Sequence, residues 1–169
     1  MARDIFLWTR RRDGEQGPTP FVELSSKFCQ FVAGPDTFGS SEFEQMENLL
    51  DIDLSILRKC PDNWTAPKVE GDASSAIEGW TSLEELEEFT LLLLDKLEGN
   101  PLYHLQLRCN LDWGDYFHPR PKHRKLLESD VEQKANPAVV LREDLKTVVD
   151  WISSAKESQV KFVTFRCDG

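Results

Sequence analysis

The chain has 169 residues, 40% hydrophobic and 30% charged, enough to bury a core and too mixed for a disordered tail, a fibre or a membrane bundle. Its 20 Lys and Arg stand against 30 Asp and Glu, a net charge of −10, which argues against unspecific nucleic-acid binding. Apolar runs such as Leu91 to Leu94 are far too short to span a membrane. The opening residues lack the long apolar region of a secretory signal, so a cytoplasmic location is expected.

The first element is a strand over Asp4–Thr9, where Ile5, Phe6, Leu7 and Trp8 form a short β-favouring run. The arginines at 10–12 and the Gly and Pro residues at 14–20 then predict a loop, with the arginines solvated at a strand end. From Phe21 to Val32 the apolar set Phe21, Leu24, Phe28, Phe31 and Val32 follows helical spacing, although 28–32 also reads as a strand. A second helix opens with the capping box Ser41-x-x-Glu44. Its stripe of Phe43, Met46, Leu50, Leu54 and Leu57 predicts an end near Cys60-Pro61. The pair Asp51 and Asp53 resembles the start of a calcium loop, but lacks the glycine and closing glutamate and is expected on the helix surface.

Residues 61–79 are loop-like. A third helix follows, capped by Thr81 or Ser82 and stopped by Gly99-Asn100-Pro101. Glu84, Glu85, Glu87 and Glu88 sit at the positive end of its dipole. Leu86, Leu93 and Leu97 are its expected core residues. The apolar stretch Phe89 to Leu94 predicts burial on more than one side. Alternation of Leu105, Leu107 and Cys109 with His104, Gln106 and Arg108 predicts a half-buried strand over 102–111. A basic, proline-containing loop over 112–137 comes next, with a short helix near Leu126. Leu141, Leu145, Val148, Val149, Ile152 and Ala155 mark a last helix, and 160–167 a last strand. Together these elements predict one α+β domain over residues 1–169, a few-stranded sheet packed against three to four helices.

No nucleophile-and-base signature or phosphate-binding glycine loop is present, so neither catalysis nor a cofactor is expected. Cys109, Asp112, His118 and His123 are ligand types that zinc accepts. They define the alternative reading, a metal-assisted hydrolase. The prolines at 119 and 121 forbid the helical spacing of a zincin pair there, and the segment is basic, so no metal site is expected. Cys29, Cys60, Cys109 and Cys167 share no CxxC spacing and read as reduced, mostly buried thiols.

The charge is unevenly placed. Residues 1–40 balance, residues 41–100 carry four basic and fifteen acidic side chains, and residues 101–169 are nearly neutral. On the second helix Glu44, Glu47 and Asp51 are expected on one exposed flank beside the apolar stripe. Such an acidic edge suits steering of a basic protein partner. Trp64, Trp80 and Trp113 fall in loop or boundary segments. Trp64 and Trp80 are the candidate anchors of such an interface, the alternative being that they cover the edge of the core.

The closing unit Leu141-Arg142-Glu143-Asp144-Leu145 through Trp151-Ile152 into Val160–Phe165, with Gly79-Trp80-Thr81-Ser82-Leu83-Glu84-Glu85-Leu86 opening a long helix, resembles the small cytosolic immunity proteins of bacterial polymorphic toxin systems. The resemblance follows element order over most of the chain and rests on no invariant motif. It implies a noncatalytic acidic protein that binds and blocks a toxin. The basic residues Arg120, Lys122, Arg124 and Lys125 depart from a purely acidic mimic of nucleic acid. A regulatory scaffold module is a further alternative.

Overall fold

The computed structural model of the chain describes residues 4–11, 22, 24–25, 28, 31–32, 41–59, 79–108, 117 and 136–168, with 4–11 and 166–168 as backbone. Among the described residues three strands form a sheet: β1 (Asp4–Arg11), β2 (Thr81–Ser82) and β3 (Val160–Asp168). Their order is β1-β3-β2 and both pairings are antiparallel. The partners of β1 and β3 run from Asp4 opposite Asp168 to Arg11 opposite Val160, with one irregularity between Arg10 and Arg11. Phe162, Val163, Thr164 and Phe165 are all buried on β3, as suits the middle strand of a covered sheet.

Three helices are described from end to end: α1 (Glu42–Leu50), α2 (Leu83–Gly99) and α3 (Pro137–Glu157). Each begins where a side chain satisfies an otherwise orphaned backbone N–H. Ser41 Oγ accepts from Glu44 N at 3.1 Å, Ser82 Oγ from Glu85 N at 3.0 Å, and Asn136 Oδ1 from Ala138 N at 3.0 Å. Pro137 follows Asn136 at a first-turn position where its missing N–H costs nothing. α2 and α3 pack on each other and both meet β3. The core between them holds Leu83, Leu86, Leu93 and Leu97 from α2 and Leu141, Leu145, Val148, Trp151, Ile152 and Ala155 from α3. Phe28, Phe31 and Val32 are helical and join that core, which favours the helical reading of their segment.

The fold is the expected α+β domain; β1 runs on through Arg10 and Arg11, Thr81–Ser82 adds a short strand that was not expected, and there are three larger differences in its parts. First, α1 stops at Leu50 instead of running to residue 60. Asp51 adopts a left-handed conformation (φ 49°) and its N–H bonds the Glu47 carbonyl. Leu54, Ile56 and Leu57 stay buried beyond it, carried by a single 3-10 turn over Ser55–Arg58. Asp53 is therefore not on a helix surface; its carboxylate accepts from Ser55 N at 2.8 Å and starts that turn. Second, the region from 102 is no strand where it is described. Tyr103–Leu105 is a 3-10 turn that buries Tyr103 and leaves Leu105 exposed. Third, α2 is buried on one side only, with Leu91 and Leu92 facing outward.

The expected loops over 61–78 and most of 112–137, the helix near Leu126, Trp64, Trp113 and the thiols of all four cysteines lie outside what is described. Among the described residues no helix is long and apolar enough to cross a membrane.

Candidate partner-binding surface

The carboxylates of α1 divide into three kinds. Glu42 sits on the same helical side as Met46 and Leu50 and is buried; its Oε2 accepts from Phe117 N at 2.8 Å. Glu47 is half-buried, and its Oε1 accepts from Leu54 N at 2.9 Å, tying the end of α1 to the turn that follows. Glu44 is half-buried, and no side-chain bond holds its carboxylate among the described residues. Asp51 is exposed but has left the helix. Glu44, Glu47 and Asp51 thus do not form the single exposed flank that their spacing suggests. Trp80, immediately before β2, is buried at 4% exposure, matching a side chain that closes the core edge. Trp64, Cys109, Asp112, His118 and His123 lie outside the described residues.

The three cations in the described part of residues 41–100 are all committed to the fold. The Arg58 guanidinium stacks over the Phe43 ring at 3.8 Å, and its Nε donates to the Val32 carbonyl at 2.8 Å. Lys96 Nζ donates to the Leu50 carbonyl at 2.7 Å, placing a positive charge on the negative end of α1. Lys59 pairs with Glu85 at 3.3 Å. From outside the segment, Lys156 pairs with Glu87. Glu84, Glu88, Asp95 and Glu98 are exposed on α2, and no ion pair neutralises any of them among the described residues. The acidic surface therefore centres on α2 more than on α1.

Two further contacts have no counterpart in the sequence analysis, one buried and one at the surface. Asp144 accepts from both the backbone N–H (2.9 Å) and the hydroxyl of Ser25. Its signal was a carboxylate within the buried stripe of Leu141, Leu145 and Val148. Gln45 binds the backbone of Arg108 twice, accepting from its N–H at 2.6 Å and donating to its carbonyl at 3.2 Å. That pairing docks residues 106–108 on α1, and no local pattern announces it.

Tyr103 packs edge-on to Phe117 with ring centroids 5.6 Å apart, and Phe117 meets Phe31 at 6.1 Å. The Tyr103 hydroxyl is buried with no hydrogen-bond partner among the described residues. Burial pushes it well above the ordinary tyrosine range; the nearby Arg142 charge opposes that rise and Glu42 adds to it. Among the described residues no group of three or more His, Cys, Asp or Glu could hold a metal ion. Comparison of the chain with family models, with curated proteins and with solved structures found no match.

Proposed function

We propose that this protein is a noncatalytic binding protein that captures a basic protein partner through the acidic surface of residues 41–100. The resemblance in element order makes the partner a toxin domain and the protein its cytoplasmic immunity protein. One observation carries the binding reading: the described cations of that segment are engaged by groups of the chain itself, Lys59 at the surface, while carboxylates on α2 are left facing water. A surface arranged this way keeps a net negative field that nearby lysines do not cancel.

The test is association kinetics with the partner recovered from the native host, identified first by whether its gene adjoins this one. The association rate should fall steeply as salt rises and fall again on joint reversal of Glu44 and Asp51 to Lys. Glu47 is spared in that variant because Leu54 depends on it. An acidic partner, or a rate indifferent to salt, would refute the binding reading; a partner with no toxic activity would refute the immunity assignment.

A further inference from the structure

The outward side of α2 is apolar as well as acidic. Leu91 and Leu92, in mid-helix, are 50% and 48% exposed, and Leu102 and Leu105, just past its end, are 59% and 66% exposed. Among the described residues, these four and Val139 are the large hydrophobic side chains left in water. A lone exposed leucine needs no explanation, but an adjacent pair in the middle of a helix does. At 3.6 residues per turn, Glu84, Glu88, Leu91, Asp95 and Glu98 fall in one row along the helix, opposite the buried Leu86, Leu93 and Leu97. Leu92 lies beside Leu91, so an apolar centre is flanked along the helix axis by two carboxylates on each side. The carboxylates outside this row are already spoken for: Glu85 and Glu87 hold Lys59 and Lys156.

We infer that this face docks a cationic amphipathic helix of the partner, its apolar stripe on Leu91 and Leu92 and its Lys or Arg side chains on Glu84, Glu88, Asp95 and Glu98. The inference rests on the reading of the protein as a binder of a basic partner and adds the place and form of the contact. Charge selects this occupant. A second copy of the same face would set carboxylate against carboxylate, and an anionic lipid surface or nucleic acid would meet the same repulsion. A helix laid alongside α2 matches both the row of acids and the leucines between them.

The probe is a synthetic Lys/Leu peptide of the length of α2 with leucines at i, i+3, i+4 and i+7. A scrambled peptide of equal composition, with no apolar face, is the control. The amphipathic peptide should bind the wild-type protein at least about tenfold more tightly than the control. The double variant L91Q/L92Q should remove that preference while keeping the affinity for the control. Carbodiimide cross-linking of the wild-type complex needs no variant, and should join peptide lysines to Glu84, Glu88, Asp95 or Glu98. Equal, salt-sensitive binding of both peptides, or cross-links at Glu44 and Asp51 instead, would overturn the inference and leave the binding reading standing. Binding of neither peptide at low salt would overturn both. Dimers of the free protein that L91Q/L92Q dissolves would also overturn the inference, since the face would then serve a second copy.

Discussion

Asp144 shows how a buried carboxylate is made tolerable. It lies on the core side of α3 and takes two hydrogen bonds from Ser25, one from the backbone and one from the hydroxyl, whose oxygen in turn accepts from Phe28 N at 3.1 Å. Charge-assisted bonds of this kind are each worth about 1.5–3 kcal/mol, and a donor left unpaired in the core costs about as much as a lost bond. Asp144→Ala should therefore lower stability by about 2–4 kcal/mol, read as a fall in the urea midpoint at constant slope. Tyr103 is the opposite case, a buried hydroxyl with no hydrogen-bond partner among the described residues. Its folded-state pKa is raised, so below its unfolded value of about 10 both states keep the proton and stability is unaffected. As pH rises above that value the unfolded chain releases a proton the folded chain holds, and stability falls. Tyr103→Phe should shift alkaline unfolding to higher pH and leave neutral stability unchanged or raised by up to about 2 kcal/mol, seen by circular dichroism across a pH series.

At the level of elements, caps and periodicity were the legible signals. Ser41 and Ser82 cap where the capping boxes place them, and the apolar runs at both ends of the chain became β1 and β3. Leu86, Leu93 and Leu97 are fully buried, as their spacing requires. Misreadings came where burial continues after geometry has changed. Leu54 and Leu57 extend the stripe of α1 in sequence, but a left-handed Asp51 and a 3-10 turn bury them instead, and a stripe of leucines does not reveal that switch. Around 102–111 the alternation of apolar and polar residues suggested a strand, while burial of Tyr103 and Leu107 four residues apart belongs to turn geometry. The acidic flank on α1 failed for a related reason: spacing says which side a glutamate occupies, but not that Glu47 turns back to hold Leu54 N. A second left-handed residue, Gln159 at φ 61°, joins α3 to β3. A side chain there carries a backbone penalty that glycine avoids, partly offset by the greater freedom of glycine in the unfolded chain. Gln159→Gly should stabilise by about 0.5–1 kcal/mol, a rise in melting temperature of about 1–4 °C by calorimetry.

On the scale of the whole molecule, α2 joins the two roles of the fold. Its inner side touches both α3 and β3, so Leu93→Ala should cost about 2–5 kcal/mol, measured by urea unfolding. Its outer side carries the exposed acids and leucines, where glutamine at 91 and 92 should leave stability within about 0.5 kcal/mol by the same measurement. One helix thus separates folding from recognition by face. The sheet has a different consequence, for how the protein is made. β1 is hydrogen-bonded to β3 alone among the described strands, and Asp4 waits for Asp168. A ribosome delivers residue 4 well before residues 160–168, so until β3 emerges β1 lacks the one described strand that it pairs with. Its backbone donors and acceptors meanwhile belong to water or to whatever shields a nascent chain, and the β1–β3 ladder closes only once β3 has emerged.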